Sequence, residues 1–212
     1  MSRTILLTGF DPFGGESVNP AFAAVRALPD QIGGAQLCKL ELPTAFFSSG
    51  ALLKKTVEQL RPDAVVCIGQ AGGRAAITPE RVAINLMDAK MPDNAGFLPR
   101  ELPIVANGPA AYFSTLPLRR MVDALRAAGA AAQISNTAGT FVCNYLLYTL
   151  LHLAATQGYT MPCGFLHVPY LPEQLAGKPD ATPCLELSVL VRALHEAVAA
   201  LDAWLEETEP GR

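Results

Sequence analysis

The sequence is poor in charge and in the residues that form metal sites or disulfide frameworks. Only 17% of its 212 residues are charged, and it contains three histidines and five cysteines. The number of cysteines is odd, and no two of them form a Cys-x-x-Cys pair. A chain of this length does not need covalent cross-links to hold a core. We therefore expect neither a disulfide framework nor a zinc site.

Long apolar runs and a strong net charge are missing as well. The first apolar run, residues 5–7, is too short for the core of a signal peptide. The densest stretch, residues 141–155, is interrupted by Asn144, Thr149 and His152, so it does not reach the roughly 18 apolar residues of a membrane span. A net charge of −3 offers no electrostatic footprint for nucleic acid or an anionic membrane. We expect a cytoplasmic protein.

The chain does contain enough apolar material for a large core. Half of it, 50%, is hydrophobic, which excludes a disordered chain. Its 17 glycines and 17 prolines follow no repeat, which excludes collagen. The length predicts one domain over residues 1–212, with residues 209–212 as a frayed tail.

Short apolar runs alternate with longer amphipathic ones along most of the chain. The pattern predicts strands at residues 4–8, 35–42, 64–69, 79–86, 130–135 and 164–168. It predicts helices at residues 20–28, 46–60, 118–128, 141–157 and 185–207. Residues 87–109 form a long loop of the kind that is often functional. The alternation predicts an α/β fold: a three-layer α/β/α sandwich with a largely parallel mixed sheet, whose ligands bind beyond the carboxyl ends of the strands.

Cys143 follows a predicted strand and a small flexible turn, and it falls in the first turn of the next helix. The unpaired N–H groups and the helix dipole at such a position favour a thiolate and can hold a developing oxyanion. Taken alone, however, the residue is more typical of a small buried side chain.

His167 and Glu80 lie at the ends of predicted strands. His167 closes an apolar strand at the edge where this fold binds ligands, although a satisfied core histidine would look the same. Glu80 opens another apolar strand and is placed to orient a histidine, as the third member of a nucleophile–base–orienter set. From the sequence alone, a surface ion pair between Glu80 and Arg81 is the more common arrangement.

Two Gly-rich turns follow predicted strands, at residues 9–15 and 69–73. Neither carries the dinucleotide or Walker pattern. The first holds Phe10 and Phe13, which suggest walls for a small apolar ring. In the second, exposed backbone can approach a ligand closely.

Five motifs, taken together, resemble one family. They are GFDPFGGESVNP at residues 9–20, GQAGGR at 69–74, PERVAIN at 79–85, AGTFVCN at 138–144 and FLHVPYLPEQ at 165–174. In this order they are similar to the motifs of type I pyroglutamyl peptidases, also called pyrrolidone-carboxylate peptidases. The resemblance implies a cytosolic cysteine peptidase without metal or cofactor, which removes N-terminal pyroglutamate (5-oxoproline) from peptides and is often tetrameric.

The same resemblance implies roles for individual residues. Cys143 would be the nucleophile of a thioester mechanism, His167 its general base and acid, and Glu80 the group that orients His167. The pocket for the oxoproline ring would comprise aromatic and apolar walls, two polar contacts and a nearby cation. The walls would be Phe10, Phe13, Phe141 and Met91. The polar contacts would be Asn19 and the backbone of Gln70, and the cation would be Lys90.

Two departures from the family pattern leave other functions open. Lys90 stands where the family usually has arginine, and residues 97–107 do not resemble the usual stretch. A degenerate member that binds oxoproline-capped peptides without cleaving them is one alternative. A phosphorylase is another, because related α/β architectures host that chemistry, although no basic cluster at a strand end supports it.

Overall fold

The structure, a computed structural model, describes residues 3–208, so the tail predicted at residues 209–212 lies outside the described residues. Its central sheet has six strands in the order β2-β3-β1-β4-β8-β5, and β6 and β7 form a separate two-stranded sheet. The strands are β1 (Arg3–Phe10), β2 (Gln31–Ile32), β3 (Ala35–Leu42), β4 (Ala64–Gln70), β5 (Thr78–Pro79), β6 (Val82–Ile84), β7 (Ala111–Phe113) and β8 (Cys163–Val168). The helices are α1 (Pro20–Ala27), α2 (Phe46–Leu60), α3 (Leu118–Ala127), α4 (Val142–Gln157) and α5 (Leu187–Thr208), with a short 3₁₀ turn at Pro172–Gln174.

The main sheet is parallel except at its two edges, and helices cover both of its faces. Only β2 against β3 and β5 against β8 pair antiparallel. Ile5 and Leu7 of β1 point to the layer of α1, α3 and α5, whereas Leu6 and Phe10 point to the layer of α2 and α4. Strands that are buried on both faces read as continuous apolar runs, which is why β1, β4 and β8 were recognisable. The three-layer prediction is confirmed.

Most predicted elements are confirmed, but two predicted strands are wrong. Residues 79–86 divide between β5, which joins the main sheet, and β6, which turns away to pair with β7. Residues 130–135 form only isolated bridges, from Ala132 to Ile77 and from Ser135 to Glu80. Ile77 and Arg81 donate to this segment, but Pro79 between them has no N–H, so the ladder is interrupted there. The short strands β2 and β7 were not predicted.

The strands β1 and β4 separate before they end. Their pairing stops at Thr8 and Cys67, although β1 continues to Phe10 alongside β3 and β4 continues to Gln70 alongside β8. From β1 the chain turns to one side of the sheet, towards β3, and later returns to the other side, towards β4. Such a reversal opens a crevice at the carboxyl ends of the strands. None of the helices among residues 3–208 has the length and hydropathy of a membrane-spanning segment.

We expect Gly9→Ala to destabilise this end of the sheet. A Cβ at Gly9 would lie 2.6 Å from the backbone N and Cα of Phe22 in α1, and a helix backbone cannot yield as a flexible side chain can. The free energy of unfolding, measured by urea denaturation, should fall by about 1–3 kcal/mol. Ser17→Ala, at an exposed loop position, is the control and should change it by no more than about 0.5 kcal/mol. An unchanged unfolding midpoint for Gly9→Ala would contradict this packing.

Candidate active site

Cys143 lies in the first turn of α4, as the sequence predicts. The first helical hydrogen bond runs from the Tyr145 N–H to the Phe141 carbonyl at 3.1 Å, and no side chain caps this end of the helix. The N–H groups of Val142 and Cys143 precede that bond and donate to no backbone carbonyl among residues 3–208. They remain available, beside the thiol, to an oxygen that gains negative charge.

Asn144 fixes this end of the helix to β6. Its Oδ1 accepts the Ile84 N–H at 3.0 Å, and its Nδ2 donates to the carbonyls of Ile84 at 2.9 Å and Leu86 at 3.0 Å. The side chain is buried and satisfied, so it sets the position of the neighbouring Cys143. Sequence reasoning missed this role, although Asn144 ends the AGTFVCN motif.

Glu80 and His167 form a buried pair at the edge of the main sheet. His167 Nδ1 lies 2.7 Å from Glu80 Oε1, and the two residues are 4% and 0% exposed. The antiparallel edge strand β5 brings them together, because Thr78 pairs with His167 and the Glu80 N–H donates to the Phe165 carbonyl at 2.8 Å. The sequence alternative, an ion pair of Glu80 with Arg81, does not form: Arg81 instead donates to Asn136 Oδ1 at 2.9 Å.

Cys143 Sγ lies next to Gly69, the residue of β4 that pairs with His167 of β8. Gly69 and His167 are paired in the β4–β8 register, so their side-chain directions point to the same face of the sheet, the one that α4 covers. A Cβ at Gly69 would lie 3.0 Å from Cys143 Sγ and 2.6 Å from the ring of Phe165. The missing side chain is therefore what allows the thiol to sit beside β4 and β8. The structure brings Glu80, His167 and Cys143 to one place.

A cavity of about 220 Å³ opens at the crevice between β1 and β4. Its lining residues are Phe10, Phe13, Asn19, Thr44, Gln70, Gly72, Phe141, Cys143 and Tyr170. The ring centroids of Phe13 and Phe141 lie 5.1 Å apart. The ring of Phe46 packs edge-on against that of Phe141, with the centroids 5.3 Å apart. Thr44, Gly72 and Tyr170 were not predicted. Gly72 and Tyr170 lie within quoted motifs, and a Cβ at Gly72 would overlap the Tyr170 ring at 2.1 Å.

The polar side chains of the cavity already form hydrogen bonds with neighbouring residues. Asn19 caps α1 by accepting the Ala21 N–H at 3.1 Å, and one of its amide hydrogens goes to the Asp11 carbonyl at 2.9 Å. The side chain of Gln70 accepts from Gln174 at 2.9 Å. Asn19 therefore keeps one N–H for a ligand, and its side-chain oxygen is in use.

The backbone of Gln70 faces into the crevice. The N–H groups of Val65 and Ala71 both donate towards the β8 side, so the alternating groups of Gln70 point towards β1. At that height the β1–β4 ladder has already ended at Cys67. The N–H and C=O of Gln70 are therefore presented to the cavity rather than to a strand.

The long loop of residues 87–109 contacts two segments that line the cavity. Asp93 Oδ2 accepts the Phe46 N–H at 2.8 Å and so caps α2, which has no cap from its own N-terminal residue. Asn94 Nδ2 donates to Asp11 Oδ1 at 3.1 Å and to the Pro12 carbonyl at 2.9 Å. The loop is thus tied to the turn that carries Phe13.

Comparison with known proteins agrees with this geometry. The family model described as pyroglutamyl peptidase matches residues 3–203. The chain belongs to the pyroglutamyl peptidase family. A pyrrolidone-carboxylate peptidase of Treponema denticola is 48% identical over 200 residues, which cover 93% of this chain and 92% of that protein. One of Levilactobacillus brevis is 49% identical over 197 residues, 93% and 96% of the two chains.

Solved structures of the family have the same fold. The crystal structure of pyroglutamyl peptidase I from Bacillus amyloliquefaciens superposes with a TM-score of 0.93 at 43% identity and full coverage, 100%, of both chains. The protein is therefore a pyroglutamyl peptidase I hydrolase with the α/β fold of its relatives.

Two residues predicted for the pocket of this peptidase lie outside it. Lys90 is exposed and makes no hydrogen bond or ion pair with any residue in the described range 3–208. Met91 is 47% exposed, and its methyl group lies 3.9 Å from the position of a Cβ at Gly14, next to the Phe13 turn. Neither lines the cavity. Their contact with substrate stays a prediction.

Burial sets the protonation of the peptidase's three central groups. Burial, and then the negative charge of Glu80, raise the pKa of the Cys143 thiol to about 12, despite the opposing charge of Arg74. Burial also lowers the pKa of His167, and the neighbouring Glu80 only partly offsets this. For Glu80, burial opposes ionisation, but hydrogen bonds and charge from His167, with help from Ser135 and Arg74, hold its pKa below the usual value.

At neutral pH the site therefore holds a thiol, a neutral imidazole and a carboxylate. The desolvation that raises the pKa of the Cys143 thiol opposes the thiolate that a helix N-terminus favours.

We predict that the Cys143 thiol does not ionise where an ordinary cysteine does, near pH ~8.5. The measurement is the ultraviolet absorbance of the thiolate, recorded against pH for wild type and for Cys143→Ser. The difference between the two should stay flat through that range, because the thiol has a pKa of about 12. A difference step at or below the ordinary cysteine pKa would show a resting thiolate and contradict the prediction.

Proposed function

We propose that the protein is a cysteine exopeptidase that hydrolyses the N-terminal pyroglutamyl residue of peptides through Cys143, His167 and Glu80. The observation that carries the proposal is the buried pair of Glu80 and His167, 2.7 Å apart, beside a cysteine that opens into an aromatic cavity. The nucleophile, the base and the group that orients the base then follow the general pattern of nucleophilic hydrolases.

The cavity suits a small neutral lactam. The oxoproline ring is flat and uncharged, with one N–H and one C=O, and the rings of Phe10, Phe13 and Phe141 give it apolar walls. The backbone of Gln70 and the free N–H of Asn19 supply polar partners. A free N-terminal glutamate or glutamine would bring an ammonium charge that nothing here compensates. A proline ring lacks the lactam carbonyl and would leave a polar partner unpaired.

Acylation begins with the neutral thiol. Cys143 Sγ attacks the pyroglutamyl carbonyl while its proton passes to Nε2 of His167, the ring nitrogen that Glu80 does not occupy. The carbonyl oxygen becomes an oxyanion, which the N–H groups at the start of α4 can receive. The C–N bond then breaks, His167 returns the proton to the leaving amine, and the acyl group remains on sulfur as a thioester.

Deacylation repeats these steps with water. His167 takes a proton from the water as its oxygen attacks the thioester, and the C–S bond breaks with return of that proton to sulfur. Free pyroglutamate leaves. Glu80 stays ionised throughout and stabilises the imidazolium that forms in each step.

The family membership argues against the phosphorylase alternative. A binding protein without turnover would need a defect in the catalytic residues, whereas Glu80, Cys143 and His167 are all present and assembled. Lys90 is the one substitution that favoured such a protein, and it lies outside the cavity.

We further propose a single catalytic domain, a cytoplasmic location and a homotetramer. One sheet carries both core layers, which supports the single domain. The five cysteines are all free, as suits a reducing compartment. The tetramer rests on the family resemblance, and exposed aromatic side chains such as Phe113, 71% exposed, and Phe47, 56% exposed, offer apolar surface for contacts between copies.

The experiment is release of a fluorescent amine from a pyroglutamyl amide by reduced enzyme in phosphate-free buffer. Wild type should turn over, and Cys143→Ser should lose activity on the order of 10³-fold or more. Cys184→Ser is the matched control: its thiol is exposed and does not line the cavity, so activity should persist.

Each contrary outcome has a distinct meaning. A folded, reduced wild type without turnover would overturn the proposed function. Retained activity in Cys143→Ser would place the nucleophile elsewhere, and activity that appears only with added phosphate would favour the phosphorylase.

A further inference from the structure

One charged side chain near the proposed triad has no role so far. Arg74 closes the GQAGGR motif after β4, and its side chain is only 29% exposed. It does not line the cavity, so it has no direct contact with the bound ring. The partly exposed guanidinium of Arg74 donates to three acceptors within the protein.

The three acceptors lie on three different segments of the site. Nη1 donates to Glu80 Oε1 at 2.5 Å and to Thr78 Oγ1 at 2.5 Å, and Nη2 donates to the Thr137 carbonyl at 3.0 Å. Thr78 is the β5 residue that pairs with His167. Thr137 belongs to the turn that leads into α4 and Cys143. One guanidinium therefore links the acid, the strand beside the base and the turn before the nucleophile.

The contact with Glu80 is made at the oxygen that also holds His167. Glu80 Oε1 receives both Arg74 Nη1 and His167 Nδ1, the latter at 2.7 Å. A carboxylate that is 0% exposed needs such partners, because an unpaired buried charge is costly. Arg74 thus fixes which way the carboxylate points and, through it, the plane of the imidazole.

We propose that Arg74 is a positioning residue of the reaction, which aligns Glu80 and the turn before Cys143 without touching the substrate. The inference rests on the proposed function of the site. It also identifies Arg74, and not the exposed Lys90, as the positively charged side chain next to the proposed catalytic residues.

The charge of Arg74 also gives the proposal a pH signature. The titratable groups around His167 are Glu80 from the β5 segment, Arg74 from the Gly-rich turn and Cys143 from α4. Arg74 lowers the pKa of both Glu80 and His167. Loss of its charge raises both values, so more protons are bound to the pair at a given acidic pH. The acid limb of kcat/KM then moves to higher pH.

The test compares Arg74→Gln and Arg74→Lys with wild type across pH on a pyroglutamyl amide. Arg74→Gln should lower kcat by on the order of 10²-fold, as expected when a catalytic group is misplaced by about 1 Å, with KM little changed. Its acid limb should move to higher pH. Arg74→Lys keeps the charge but loses the planar guanidinium with its several donors. Its kcat should therefore fall, while its acid limb stays near that of wild type.

Arg81→Gln is the matched control. Arg81 follows Glu80 in the sequence and donates to Asn136, which lies beside Thr137 in the turn before α4. It makes no contact with the Glu80 carboxylate. Its kcat and pH profile should stay within about twofold of wild type, since loss of an exposed polar contact changes free energies by about 0.5 kcal/mol.

Several results would overturn the inference. One is an Arg74→Gln enzyme with the kcat and acid limb of wild type. Another is a loss of activity with no shift of the acid limb, which shows a merely structural role. If Arg74→Gln does not fold, Arg74→Lys decides, and a wild-type kcat in that variant refutes the positioning role. Absence of turnover in folded wild type refutes the proposed function instead, so the two failures are distinguishable.

Discussion

A carboxylate without exposed surface is the constraint around which this site is arranged. Glu80 is 0% exposed, and burying its charge is tolerable only with partners that cannot leave. Removing one partner from such a buried pair typically costs about 3–5 kcal/mol. The imidazole of His167 and the guanidinium of Arg74 supply these partners, both at Oε1. The same contacts that offset the charge also orient the imidazole of His167, the proposed base.

The divergence of β1 and β4 supplies the second part of the site. Because the two strands part after Thr8 and Cys67, the backbone of Gln70 is left without a strand beside it and faces a cavity instead. Phe10 extends from the end of β1 into the same space. The fold thus creates, at one end of the sheet, apolar walls and unpaired backbone groups, which together fit a small neutral lactam. The proposed nucleophile enters this space from α4, where the glycine at position 69 makes room for its sulfur.

Sequence reasoning found the strongly patterned parts of the molecule and missed those that depend on distant contacts. The helix at residues 46–60 and the strand at residues 35–42 were predicted with the observed bounds, because apolar periodicity and flanking prolines are local signals. The segment at residues 130–135 was mispredicted because an apolar run says nothing of its partner, in which Pro79 interrupts the ladder.

The same distinction holds at the site. Glu80, Cys143 and His167 each stood out by position, but only the family resemblance joined them, and the structure adds the 2.7 Å contact between Glu80 and His167. Arg74 and Asn144 act through partners on other segments. Arg74 donates to Glu80 on the next segment and to the distant Thr137, and Asn144 donates to the carbonyl of the distant Ile84, which no spacing rule reveals. Lys90 was singled out for its difference from the family, whereas the structure places it at the surface.

The proposed mechanism requires that Cys143 carry the pyroglutamyl group during turnover. The most direct measurement is rapid acid quenching of the enzyme during turnover of a pyroglutamyl ester or amide, followed by proteolysis and mass spectrometry of the fragments. The proposed role of Cys143 predicts a pyroglutamyl adduct on the fragment that contains this residue, and the adduct disappears when the substrate is exhausted. Turnover with no adduct on that fragment, or an adduct on another cysteine, would contradict it.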